Sequence, residues 1–158
     1  MIERLVHPDF TLTICWRKGL IFGTCLQSSP YKTKNISKSS SDPSKVLKAL
    51  MLRYLDRKNA CWLDAPLDWE LLSPFRTRVL KTLLWSVPWG QTITYSRLAA
   101  LAGHPGSARA VGGCMARNPW PVLVPCHRVV AAGRGLGGFS PGLEMKKDLI
   151  ALEKTCPA

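Results

Sequence analysis

Between residues 10 and 28 apolar and polar side chains alternate through Thr11, Thr13, Ile14, Ile21, Phe22 and Thr24. That period of two predicts a pair of strands around a Lys18-Gly19 turn. The next stretch, SSPYKTKNISKSSSDPSK, is rich in Ser and Lys and predicts a mobile loop. Asp42-Pro43 then opens a helix, with Asp42 as N-cap and proline at the first helical position. Val46, Leu47, Leu50, Met51 and Leu55 recur behind it at helical spacing. Cys61 to Trp69 predicts one more strand or extended segment.

From Pro74 the period becomes helical. Phe75, Val79, Leu80, Leu83 and Leu84 form one stripe, ended by Pro88-Trp89-Gly90. Thr94 caps a short helix, TYSRLAALAG, which Gly103 stops, and His104-Pro105-Gly106 makes the turn into SARAVGGCMARN. Two short helices on a tight glycine-containing turn are the helix-turn-helix signature. Asn118-Pro119 closes the second helix; VLVPCHRVV predicts a strand, GRGLGGFSPG a glycine-rich loop, and Leu143 to about Lys154 a last helix. The chain contains no internal repeat.

Composition narrows the function classes. A hydrophobic content of 46% supplies a real core. MIERLVHPDF carries Glu3 and Asp9 and has no apolar centre, so it is not expected to be a secretory signal. No apolar run approaches the roughly 20 residues of a membrane span, so a soluble cytoplasmic protein with no membrane partner is expected, nucleoid-associated if bacterial. Cys15, Cys25, Cys61, Cys114, Cys126 and Cys156 contain no CxxC pair, so reduced thiols and no metal site are expected. Lys plus Arg number 22 against 10 Asp plus Glu, a net charge of +12. No acidic residue occurs between Glu70 and Glu144, while Arg76, Arg78, Lys81, Arg97, Arg109, Arg117, Arg128 and Arg134 lie between them. A face of one sign attracts polyanions.

Candidate chemistry sits in the last apolar run, where Cys126 stands beside His127 and Arg128. A cysteine among valines is ordinarily inert packing. A thiolate, however, needs a base or positive field to form at neutral pH, and both neighbours offer one. GRGLGGFSPG does not lead from a strand into a GxGxxG helix start, so nucleotide binding carries little weight.

In order and spacing, TYSRLAALAG, RAVGGCMARNP, VLVPCHRVV and GGFSPG with its closing helix resemble the O6-alkylguanine-DNA alkyltransferases, from about Pro74 to Glu153. The resemblance implies an α+β protein. A small ribonuclease H-like strand/helix domain would occupy residues 1–70, and a helical, winged-helix-like (helix-turn-helix) DNA-binding domain residues 71–158. It implies irreversible, stoichiometric transfer of an alkyl group from O6-alkylguanine, and less strongly O4-alkylthymine, to Cys126, with no cofactor. His127 would reach Cys126 through a water, and Glu153 would orient His127. Tyr95 would press on the phosphate and donate a proton to the leaving guanine. Arg109 would fill the gap left by a flipped base, and Asn118 would be the hinge between the DNA-reading helix and the active-site strand. Met115, Val129, Phe139 and Ser140 would surround the base. Ser107, Ala108, Ala110 and Gly112 would approach the minor groove of double-stranded DNA, read by a monomer. Phe139 stands where many relatives have tyrosine. Some relatives bind zinc in the N-terminal domain; His7, Cys15 and Cys25 are the local candidates here, and no such ligand set is matched. The rival readings are a non-catalytic alkylated-base sensor, a helix-turn-helix regulator, and a Cys-His hydrolase.

Overall fold

The computed structural model describes residues 1–6, 10–28, 35–36, 49, 53–54, 63–133 and 135–154. A four-stranded antiparallel sheet comes first: β1 (Ile2–Val6), β2 (Phe10–Arg17), β3 (Leu20–Ser28) and β4 (Asn35–Ile36), in the order β3-β2-β1-β4. β2 shows why it is a strand: Phe10, Leu12, Ile14 and Trp16 are buried, and the residues between them face a wetter side. The predicted hairpin is present. Lys18 and Gly19 both take positive φ (49° and 78°), as a two-residue hairpin turn of primed type requires, and Arg17 pairs with Leu20. β1 and β4 are additions to the expected strands, and β4 falls within the stretch assigned to a loop. The helix expected from Asp42-Pro43 lies outside the described residues apart from Ala49, Arg53 and Tyr54, which are helical. Of the segment Cys61 to Trp69, Leu67 makes a parallel bridge to Ile21, and Trp69–Leu71 then tightens into a 3-10 turn.

The helices follow the predicted stripes. α1 (Pro74–Ser86) starts with proline at its N-terminus and buries Val79, Leu80 and Leu83. The short β5 (Ile93–Thr94) leads into α2 (Tyr95–Leu101), where Oγ1 of Thr94 accepts from the Arg97 amide at 3.2 Å. Gly103, at φ 80°, stops the helix as expected. α3 (Ala108–Ala116) buries Val111, Cys114 and Met115, and α4 (Leu143–Lys154) buries Met145, Lys146, Leu149 and Glu153.

VLVPCHRVV departs from expectation. Only β6 (Val129–Val130) is a strand, pairing in parallel with β5. Val122 has a positive φ of 75°, which turns a β-branched residue out of the extended region, and Cys126–Arg128 is a 3-10 turn. The run is apolar because it is buried, with Val122, Leu123, Val124 and Val129 all inaccessible. Continuous burial, not the pleat, set the pattern.

The sheet is stitched to this run along the outer edge of β3. The Thr24 amide donates to the Pro119 carbonyl at 2.7 Å and its hydroxyl to Pro121 O at 3.1 Å. Nε1 of Trp120 donates to Ile21 O at 2.9 Å, and the Ile21 amide donates to Pro66 O at 2.7 Å. Trp120 is fully buried and stacks edge-on against Trp69. An edge that would otherwise offer free backbone groups thus fixes the segment leading into Cys126.

Candidate active site

Cys126 begins the 3-10 turn and is 5% exposed. Burial pushes its thiol above the ordinary value; the Asn118 side chain, Lys146, and the Cys126 and His127 amides pull the other way without cancelling it. The resting sulfur is therefore a thiol that needs a base. Asn118 is fixed from both ends: its Nδ2 donates to Val124 O at 2.8 Å, and its Oδ1 accepts from the Trp120 amide at 3.0 Å. It ties the end of α3 to the turn carrying the cysteine.

Next in the turn, His127 is completely buried, and its Nε2 lies 2.7 Å from Oε1 of Glu153. Burial would raise the Glu153 carboxyl, but His127 and Arg128 outweigh it and hold it at about 2. Glu153 is thus an anion that only accepts. Nε2 of His127 must then carry the proton, which makes Nδ1 the basic nitrogen. Nδ1 is buried and bonds to no protein group among the described residues. Burial also lowers the imidazole from 6.5, ahead of the opposing pull of Glu153. Arg128 supplies the compensating charge: Nε donates to Glu153 Oε2 at 2.8 Å, Nη2 to Oε1 at 3.1 Å, and Nη1 to Val87 O at 2.7 Å. The imidazole can stay neutral because the carboxylate already has its cation.

In front of the sulfur lies a cavity of about 290 Å³, lined by Cys126, Asn118, Met115, Phe139, Ser140 and Pro121, with Thr24, Cys25 and Leu26 of β3. It shares Met115, Ala116, Phe139 and Ser140 with an open groove of about 650 Å³ along α2 and α3, bounded also by Tyr95, Ala108, Arg109 and Gly112. Ser107 and Ala110 line a further groove with Arg76, Arg109 and Arg117. The structure therefore gathers nearly all the anticipated residues. Val129, expected around the base, is inaccessible and lines neither cavity; its carbonyl accepts from Lys146 Nζ at 2.6 Å. The Ser140 hydroxyl donates to Ala116 O at 3.0 Å, and Phe139 stands edge-on to His127. Tyr95 Oη donates to Gly138 O at 3.4 Å, and burial raises its phenol, so it is a proton donor at neutral pH.

Comparison with known proteins decides the family. The model of the 6-O-methylguanine DNA methyltransferase DNA-binding domain matches residues 74–155. The Methanothermobacter thermautotrophicus methylated-DNA–protein-cysteine methyltransferase is 34% identical over 154 residues, covering 94% of this chain and 82% of that protein. The chain belongs to the O6-methylguanine-DNA methyltransferase family. The human member is 52% identical over 79 residues, 50% of this chain and 38% of that protein. Mycobacterium tuberculosis OGT, crystallised in complex with DNA, superposes with a TM-score of 0.76 at 30% identity, covering 97% of this chain and 93% of that one. The Pyrococcus kodakaraensis O6-methylguanine-DNA methyltransferase gives 0.70 at 32% identity, covering 96% and 97%. As a mixed helix-and-strand member of this DNA-repair family, the chain is a DNA-binding methyltransferase, which sets the sensor and regulator readings aside.

Three contributors within this methyltransferase site are not evident in the sequence. Arg128 counts there toward the basic face, yet it is 5% exposed and committed to Glu153. An arginine between a buried-looking histidine and two valines is the available signal, since such a cation demands a carboxylate. Lys146 is inaccessible, and its Nζ donates to Val129 O and, at 3.2 Å, to Gly138 O. It lies on the same stripe of α4 as Leu149 and Glu153, at i+3 and i+7, which the spacing contains. Tyr54 donates to Glu153 Oε1 at 3.2 Å, and nothing local announces it. Among the described residues no group of three or more His, Cys, Asp or Glu could hold a metal ion, and no helix is long and apolar enough to cross a membrane.

Proposed function

We propose that Cys126 is the acceptor that takes the alkyl group from O6-alkylguanine in DNA. Nδ1 of His127 receives the thiol proton through a water. The thiolate attacks the alkyl carbon, a C–S bond forms, and the carbon–oxygen bond breaks with its electron pair leaving on guanine. Tyr95 supplies a proton to that leaving base, since an anionic guanine departs poorly. The product is a thioether, which no group in the site displaces, so each molecule reacts once. The observation that carries this reading is a buried thiol that opens onto a base-sized cavity, next in sequence to a buried histidine whose Nε2 lies 2.7 Å from an anionic carboxylate.

The groove formed by α2 and α3 is the proposed DNA surface, with Ala108 and Gly112 allowing close approach to the minor groove and Arg109 occupying the gap left by the extruded base. Met115, Phe139 and Ser140 would hold that base, and the protein would act as a monomer. The proposed division is a ribonuclease H-like unit over residues 1–70 and a winged-helix-like unit over 71–158. It is supported by the position of β1–β4 ahead of the family match at residues 74–155.

The test is intact mass before and after incubation with duplex DNA carrying one O6-methylguanine, followed by peptide mapping. One added methyl on Cys126 is expected, and Cys126→Ala should transfer nothing while binding undamaged DNA as before. A methyl on another residue, or lesion binding with no mass gain, removes Cys126 from the acceptor role.

A further inference from the structure

We propose that Tyr54 is a positioning residue for the Cys126–His127–Glu153 relay: its hydroxyl, held on the same carboxylate oxygen as His127, weakens that oxygen's grip on the imidazole proton and keeps His127 a base. This rests on the alkyl-transfer reading given above. Oε1 of Glu153 receives Tyr54 Oη at 3.2 Å, His127 Nε2 at 2.7 Å and Arg128 Nη2 at 3.1 Å. Donors sharing one oxygen divide its electron density, so each addition makes the carboxylate a poorer partner for imidazolium.

The phenol is fixed for this task. It is completely buried, and its ring stands edge-on against Trp89 at 5.0 Å between centroids. Trp89 precedes Gly90, whose amide donates to Glu153 Oε2 at 3.4 Å. A side chain at Gly90 would meet the Glu153 carbonyl at 3.2 Å, so the turn lies tight against the end of α4. Burial, then the nearby Glu153, raises the phenol well above 10, so it donates at every working pH. Among the described residues His127 is faced by Glu153, Arg128 and Lys146, and Glu153 by His127, Arg128 and Tyr54. Tyr54 lies ahead of residues 74–155, so the matched DNA-binding domain does not contain its whole relay.

Tyr54→Phe keeps the ring on Trp89 and removes only the donor. Two readouts are needed: the His127 imidazole titration by NMR, and the pH dependence of transfer from free O6-benzylguanine to Cys126. Without the hydroxyl, Glu153 holds the imidazole proton more strongly. The His127 titration and the acid limb of the rate profile should therefore both move up, by about half a pH unit or more. Transfer should be roughly threefold slower or worse at acidic pH and close to normal in alkali. 3-Fluorotyrosine at position 54, a stronger donor of nearly the same shape, should move both downwards, and it decides the matter if the phenylalanine variant does not fold. Unchanged titration, or a uniform loss of rate at all pH values, overturns the proposal. If the wild-type protein transfers no alkyl group, the alkyl-transfer reading fails, while the NMR titration still decides what Tyr54 does to His127.

Discussion

At the scale of single residues, Glu153 joins a structural ion pair to the proposed chemistry. Glu153→Gln leaves Arg128 buried without a counter-charge, a change that costs about 3–5 kcal/mol where such pairs have been broken. It also releases the constraint that places the proton on Nε2 of His127. The carboxyl is held at about 2 against an ordinary 4.5. Its contribution is therefore complete above pH 4.5 and lost as pH falls through that value towards 2. Denaturant unfolding should show the wild-type protein's advantage over Glu153→Gln full at pH 7, shrinking below pH 4.5 and gone near pH 2. Lys146 acts on the sulfur instead: with Arg128 neutralised by Glu153, it is the cation that lowers the Cys126 thiol. Lys146→Met should raise that thiol and carry the alkaline rise of transfer from free base to higher pH. Reaction at pH 7 should then be about tenfold slower for every pH unit by which the rise moves. Cys126-His127 is visible in sequence because adjacent reactive side chains stand out in an apolar run. Arg128 and Lys146 are not, since a charged residue's burial depends on the carboxylate or carbonyls that distant segments bring to it.

The elements divide by how local their causes are. α1, α2 and α3 follow stripes, caps and stops that lie within a few residues of one another, and all are legible. β1 is not, because a strand is stabilised by its neighbour, and its register against β2 (Ile2 with Cys15 through Val6 with Thr11) cannot be seen in five residues alone. VLVPCHRVV misleads because full burial hides the difference between a strand and a packed turn. The loop before α4 matters for the same reason of distant contact. Gly137 sits at φ 68°, and a Cβ there would lie 2.6 Å from the Tyr95 hydroxyl and 2.7 Å from its ring. Gly137→Ala should push Tyr95 off Gly138 O and withdraw the proton donor. Because the proposed proton transfer to the leaving guanine serves either substrate, transfer from duplex and from free O6-benzylguanine should fall together, by roughly 100-fold.

Over the whole molecule, the charge excess and the site face the same task from two sides. Arg128 leaves the basic face for the interior, yet Arg97, Arg109 and Arg117 remain exposed around α2 and α3 with no acidic residue between Glu70 and Glu144 to oppose them. Affinity for duplex DNA should fall steeply with salt, since each phosphate contact releases counterions. Arg109, in the first turn of α3, lines the open groove with Tyr95, while Cys126 lines the adjoining cavity. On the proposed reading, a duplex substrate first surrenders its base from the stack at a cost of a few kcal/mol, and the planar cation of Arg109 in the gap offsets part of that. A free base incurs no such cost. Arg109→Ala should accordingly slow transfer from duplex by about tenfold or more, lower the salt slope by about one contact, and leave the reaction with free O6-benzylguanine near the wild-type rate. This asymmetry separates Arg109 from Gly137, Lys146 and Tyr54, whose substitution should slow transfer whatever carries the alkyl group. Equal slowing on both substrates would place Arg109 with those residues and remove it from base extrusion.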